Sequence, residues 1–389
     1  MRMRRGIRFL IAAVFIAALA IVAYRVQSRR IYIWLPAYLA QPAAAAKPTD
    51  IMLLIADHYE PGKNDGMVDE WVREYPKLFG DIRDSDGRPP RHTFFYPAEQ
   101  FKLSQLVTLN ALVREGYGEI ELHLHHKDDT SASLREKLRQ AKQDFLQAGA
   151  LHTPDGQPHF GFVHGNWALD NSVGEGPTNV CGVNDEITIL REEGAFADFT
   201  FPAYETTAQP PIVNQIYYAW DDPTRPKSYA AGEPVRVGAR PRSEAFLILQ
   251  GPIGLRWFTP WYRLFPVVEF GGMEGDPQTM PEFSRFDHWL RANVHVQGRP
   301  EWVFIKWHTH GAYARDKRAV LSAQMADLYR QIAEYGRSQN VRIHFVTARE
   351  AYNILKAAES GRAGDAGQFR DFVIPPYKNV SAPAGETRR

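Results

Sequence analysis

The sequence predicts an α/β protein, a distorted (β/α) barrel of seven or eight parallel strands preceded by an N-terminal membrane helix. Three observations point there. Apolar runs of strand length alternate with helical stretches along most of the 389 residues, the signature of parallel strands joined by crossover helices. Four of those runs close on an acid or an imidazole, at Asp57, His123, His164 and His308. In such folds the groups that do chemistry gather at the carboxyl ends of the strands. The chain also opens on a long uncharged run between arginines. A doubly wound open sheet is the alternative architecture.

The first element, "MRMRRGIRFLIAAVFIAALAIVAYRVQSRR", is uncharged from Phe9 to Tyr24. About 16 to 18 apolar residues are short but workable for one membrane span at about 1.5 Å per residue. Ala18 and Ala20 leave a cleaved signal peptide as the competing reading. The unbroken run ending in arginines favours a single-pass anchor over residues 1–30, with the catalytic part outside the cytoplasm, in the periplasm. Arginines at positions 2, 4, 5 and 8 precede the run and those at 25, 29 and 30 follow it, so the charge bias that sets orientation is slight. Residues 31–49 read as an apolar, Ala/Pro linker, since Pro36, Gln41 and Pro42 argue against a second span.

The domain follows over residues 50–357. "DIMLLIAD" is a near-continuous apolar run, as in a strand buried on both faces. "RHTFFYP", "GEIELHL", "HFGFVHG", "FADFTFPA", "EAFLILQGP", "WVFIKWHTHG" and "VRIHFVTA" continue the series. The helices between them include "SQLVTLNALVREG", closed by Gly116, and "TSASLREKLRQAKQDFLQAG", with Ser/Thr caps and Gly149 after it. "NDEITILREEG" and "KRAVLSAQMADLYRQIAEYG" are two more. Residues 205–285 are rich in Pro, Gly and Trp and read as an insertion over one face. Residues 358–389 read as a polar, mobile tail.

Composition narrows the chemistry. A net charge of +1 gives no support to nucleic-acid binding. One cysteine, Cys181, excludes a disulfide framework and a Cys-rich zinc knuckle, so a metal is expected on histidines and carboxylates. The aromatic content of 12%, with nine Trp, suits a carbohydrate cleft and a large core alike. Three stretches stand out: "ADHYEP" with Asp57, His58 and Glu60; "HLHH" with His123, His125 and His126; and "KWHTHGA" with His308 and His310. Two imidazoles with a carboxylate form a recurrent catalytic zinc set with one position open. His92, His288, His295 and His344 lack such context and read as structural.

In order and spacing these motifs resemble the polysaccharide deacetylase (NodB-homology) superfamily over about residues 50 to 356. "LLIADHYEP" resembles its first motif, "HTFFYP" its second strand, "GYGEIELHLHH" its strand ending in a histidine ligand, and "WVFIKWHTHG" its closing strand. The resemblance implies a divalent metal, zinc foremost, on Asp57 and His123, with His308 as catalytic acid. It implies hydrolysis of an amide or ester, the release of acetyl, most often N-acetyl, groups from an envelope or exported polysaccharide. Two positions depart from the pattern. Ala56 stands where the family has its base, and Lys127 where it has its second histidine ligand. His126, or else His125, is expected to close the metal site, and Glu60 or His58 to supply the base, unless Asp57 is itself the base. "FGFVHGNWALDNS" sits at the substrate-facing motif, so His164, Asn166, Trp167 and Asp170 are expected to line the cleft, with His310 beside them. A glycoside hydrolase of similar barrel form, using two carboxylates and no essential metal, is one rival. A non-catalytic polysaccharide-binding or export component is another. The sequence leaves protein partners open.

Overall fold

A computed structural model gives the structure of residues 2–42, 46–174, 180–257 and 266–378, with side chains from Leu10 onward. Among the described residues, twelve strands and ten α-helices follow one another in a mostly alternating order. The chain opens with α1 (Arg2–Ser28) and α2 (Ile31–Ala40). Then come β1 (Asp50–His58), α3 (Asp65–Phe79), β2 (His92–Pro97), α4 (Leu103–Arg114), β3 (Gly118–Leu124) and α5 (Ser131–Gln147). Next are β4 (Phe160–His164), α6 (Glu186–Glu192), β5 (Ala195–Asp198), β6 (Ile216–Ala219), β7 (Glu233–Pro234) and β8 (Phe246–Leu249). The short β9 (Gly254–Arg256) and β10 (Val267–Glu269) pair antiparallel in a separate sheet. The chain ends with α7 (Phe286–Ala292), β11 (Trp302–Thr309), α8 (Ala314–Val320), α9 (Ala323–Gln339), β12 (Arg342–Val346) and α10 (Ala348–Glu359).

The main sheet runs β11-β1-β2-β3-β4-β5-β8-β6-β7, parallel as far as β8. β1 forks: its Asp50–Leu54 half pairs with β12, and Ala56–His58 pair with β2. The expected barrel does not close; among the described residues no strand ladder joins β8 or β6 to β11. The reason lies in the segment read as an insertion. β6 doubles back antiparallel on β8 and takes that edge. The free edge of β11 is occupied by the 271–273 segment, where His308 N–H donates to Gly271 O at 3.1 Å and Met273 N–H to His308 O at 2.8 Å. Residues 205–285 therefore supply strands to the sheet itself, and 258–265 of them lie outside the described residues.

Strand alternation divides the core. Ile51, Leu53 and Ile55 of β1, with Tyr59 just after it, pack with Trp71, Leu109, Leu138 and Leu328 of the helices α3, α4, α5 and α9. Met52, Leu54 and Ala56, with Phe95, Val163 and Phe304, meet Ala351, Ile354 and Leu355 of α10 on the other face. Each Leu, Ile, Val, Met or Phe side chain among them, fully buried, stabilises the fold by about 1.5–3 kcal/mol.

The segments that flank the sheet domain, α2 and the described residues after α10, are docked on it. Leu10–Ser28 is long and apolar enough to cross a membrane, as a signal sequence also is, and Leu10, Ile11, Phe15 and Ile16 stand exposed. The expected linker starts as a docked helix: Trp34 of α2 is enclosed with Val213, Ile253, Val268 and Phe270. Gln41 donates to Ala292 O at 2.7 Å. The expected mobile tail is corrected as far as residue 378. Arg370 is buried and donates to Asp84 at 2.9 Å and Asp86 at 2.7 Å, and Asn353 bonds the backbone of Arg370 and Ile374. Residues 379–389 lie outside the described residues.

Candidate functional site

Two histidine groups form at the carboxyl ends of the strands, on opposite faces of the sheet. On the α10-facing side, His58 and His123 end the alternations that begin with Met52 and Val163's partner row. Glu60 joins them, and one ligand atom from each of His58, Glu60 and His123 lies within 4.8 Å of the others. His123 is fixed by its Nδ1, 2.8 Å from Val163 O. That carbonyl can only accept, so the proton sits on Nδ1 and the lone pair on Nε2. This Nε2 is buried, makes no hydrogen bond and stands 3.4 Å from Glu60 Oε1. Tyr313 O–H holds the other oxygen of Glu60 at 2.6 Å. Burial raises the Glu60 carboxyl, but contact with His123, Tyr313 and His125 outweighs it and brings it down to about 2. Burial foremost, then the crowding of the titratable groups of His310, His123, His308 and Lys306, holds His58 well below the usual imidazole range, keeping its ring neutral.

Around this group the site is partly open. His310 stacks on Tyr313 and has its ring 4.8 Å from that of His58. Trp167, half-buried, lies 6.1 Å from His310 and 6.2 Å from His58. His125 is 28% exposed at the rim, its Nδ1 2.8 Å from Glu99 and its Nε2 3.9 Å from Glu60. Gly165 lies directly beneath, where a Cβ would run into the His125 ring.

The second group lies on the helix-facing side. His126 Nε2 is 2.8 Å from His164 Nε2, and Glu186 Oε1 is 3.2 Å from the first and 3.4 Å from the second. Cys181 Sγ is 3.3 Å from Glu186 Oε2. All four residues are buried, and their ligand atoms fall within 4.8 Å of one another, a set able to hold a metal ion. Burial, then Glu186, pushes the Cys181 thiol up to about 11.

The sequence-predicted residues thus divide. Glu60, His123, His125, His310 and Trp167 come together, with His58. Asp57 does not join them, because the odd positions of β1 turn to the helices. Its Oδ2 is 2.8 Å from His92 Nε2, and its Oδ1 accepts from Gly311 N–H at 2.6 Å. His126 and His164, expected as metal ligand and substrate contact, meet each other in the enclosed second group. Asp170 is also enclosed: its N–H donates to Glu186 and its Oδ2 accepts from Ser228 N–H, both at 2.6 Å. Burial foremost, then Asp221, raises its carboxyl to about 8. Asn166 is exposed, at a φ of 55°. His308 lies below the first group, 5% exposed, its ring 5.2 Å from Phe270 and its Nδ1 without a partner. Tyr313, Cys181 and Glu186 were missed by sequence reasoning, and Cys181 corrects the expectation that only histidines and carboxylates are available to a metal. Cys181 and Glu186 fall in "CGVNDE", of which only the helix over "NDEITILREEG" is read above, and Tyr313 carries no local signal.

A third convergence, Asp50, His344 and Asp365, sits at the opposite end of the sheet. Arg342 forks onto Asp50 there at 2.7 and 2.8 Å, so its charge already has a cationic partner.

No family model and no curated protein matches the chain, the deacetylase superfamily included. Among solved structures, the 4-alpha-glucanotransferase from Thermococcus litoralis is similar over 79% of this chain, at 12% identity and a TM-score of 0.40. The match spans 40% of that enzyme's chain. Likeness of that degree carries no argument about reaction or substrate.

Proposed function

We propose that the chain is a membrane-anchored, metal-dependent hydrolase that removes acetyl groups, most readily N-acetyl, from an envelope or exported polysaccharide. The observation that carries this reading is the buried, unpartnered Nε2 of His123 facing Glu60 and His58. A buried polar atom left without a partner costs about 1–3 kcal/mol, and a cation at that point removes the cost. His58, Glu60 and His123 would hold the ion, and zinc suits two imidazoles and a carboxylate with a position left open. A divalent ion bound there supplies Lewis acidity toward an acyl oxygen and toward water.

The chain's own residues do the rest. Tyr313 orients Glu60. Asp57 and Trp71 pin Gly311, through its N–H at 2.6 Å and its carbonyl at 3.1 Å, and so set the loop that carries His310. His310 takes the proton of the attacking water, and His125, held by Glu99, gives one to the departing amine or alcohol. Such acid–base help contributes about 10² to 10⁴-fold. Trp167 offers a face for a sugar ring. His308, enclosed beneath, has no proton transfer in this scheme. The resemblance to the deacetylase superfamily supplies the acetyl substrate.

The test is acetate release from acetylated glycans by the full chain, with and without a chelator. Chelator-sensitive acetate is expected. New reducing ends without acetate overturn the reading in favour of a glycosidase. Glycan binding with neither product leaves a binding or export component.

A further inference from the structure

The enclosed group on the helix-facing side has a chemistry of its own. His164 Nδ1 faces the Gly165 carbonyl and His126 Nδ1 faces Asp129 Oδ2 at 3.0 Å. Both partners accept, so both Nδ1 atoms carry protons, and with the two rings neutral both Nε2 atoms present lone pairs. Those lone pairs meet at 2.8 Å, with a carboxylate oxygen 3.2 Å from one and 3.4 Å from the other. Three electron-rich atoms in a dry pocket repel unless something positive stands among them. A carbonyl or carboxylate behind each ring is also how proteins fix imidazoles that bind metals. Asn171 N–H donates to Cys181 Sγ at 3.3 Å, a contact that a metal-bound sulfur would keep.

We infer that His126, His164, Cys181 and Glu186 form a second, structural metal site for a thiophilic divalent cation such as zinc. Four buried donors make a closed set, with no position left for water or substrate. Binding releases the Cys181 thiol proton to solvent and leaves the four ligands bonded to the ion. The ion ties together three segments with no disulfide between them: the β3–α5 loop through His126, the end of β4 through His164, and the loop into α6 through Cys181 with the first residue of α6, Glu186. The same segments meet at Asp129 N–H to Cys181 O, at 3.0 Å. Gly182, at a φ of 100°, lies where a Cβ would strike the Asp129 backbone.

The inference does not depend on the proposed hydrolase site, and the experiment separates the two. The full chain is stripped with chelator and reloaded with cobalt(II). Cys181 is the sole cysteine, so a near-ultraviolet thiolate-to-cobalt charge-transfer band reports this site alone. The band is expected in the wild type and in His123→Gln. Cys181→Ser should lose it, and one cobalt equivalent with it, while His123→Gln loses the other equivalent and keeps the band. X-ray absorption on wild-type zinc protein, which needs no variant to fold, should show sulfur bound to metal. Cobalt uptake without the band, or zinc without sulfur, overturns the inference. So does a thermal midpoint that neither chelator nor zinc moves, since a proton on His126, held between Asp129 and Glu186, then does the work assigned to the metal.

Discussion

The two histidine groups grow from one strand and end in opposite conditions. His123, the last residue but one of β3, faces the α10 side and opens toward Trp167 and His310. His126, three residues on, lies past the end of the strand and is enclosed beneath α6 with His164. Alternation makes the difference. It assigns His58 and His123 to one face and His164, at an even position of β4 beside Phe162, to the other. His126 continues the even row of Ile120, Leu122 and Leu124 toward the helices. An identical side chain can thus sit in a cleft or in a core according to parity.

The largest expected effect tests that contrast directly. His123→Gln should lower acetate release on the order of 10³-fold, the several kcal/mol of Lewis-acid help that goes with the ion. Its thermal midpoint should stay within about 2–4 °C, the shift that about 1 kcal/mol makes. Glu186→Ala should behave the other way. It removes the carboxylate from between two buried imidazoles and costs about 3–5 kcal/mol, so stability falls first and activity only with it. Calorimetry and acetate assays on both variants decide the matter; equal losses of activity at unchanged stability would erase the distinction between the groups.

Eight strands were legible as short apolar runs between helical stretches, near-continuous in "DIMLLIAD" and alternating in "GEIELHL". The strand-end histidines were legible as well. Which of them meet was not. Asp57 and His58 are adjacent in sequence, and only the register against β2 and β11 decides which one shares a face with His123. Cys181 and Glu186 reach His126 across a loop, and no local period connects residues so far apart. The open edge was hidden likewise, since "IYYA" carries no sign that it will turn back along β8. The tail misled through its composition: Arg370 reads as polar and mobile, yet it is buried by Asp84, Asp86 and Glu350, all distant in sequence.

The amino end of β1 offers a milder contrast, charges neutralised by charges instead of by a metal. Burial raises the Asp50 carboxyl, but hydrogen bonds from His344, Arg342, Thr49 and the Ala366 N–H outweigh it and bring it from 3.8 to about 2. Burial also raises Glu350, and Arg91, Arg370, Arg349 and Arg88 more than reverse it. Both carboxyls are more acidic folded than unfolded. Their contribution is therefore full above the unfolded pKa values and is lost as pH falls from about 4 through about 2. The thermal midpoint should drop steeply across that window, and Asp50→Asn should flatten the drop while lowering stability at neutral pH. A variant that keeps the wild-type slope would place the acid sensitivity elsewhere.

At the rim of the open group the effects should be smaller. Trp167→Ala removes the ring face proposed for the sugar, worth about 1.5 kcal/mol or roughly ten-fold, and should raise KM with little change in kcat. Tyr313→Phe is the gentlest change. The ring stays stacked on His310, 5.4 Å away with the planes 10° apart, while Glu60 loses its 2.6 Å hydrogen bond. Tyr313 is 46% exposed, so water can replace the hydroxyl, and the net loss should be about 1 kcal/mol. That is roughly five-fold in kcat/KM, with kcat carrying most of it, because the hydroxyl orients a ligand and is not assigned to the sugar. If KM moves instead, Tyr313 belongs to the sugar's wall and does not orient Glu60.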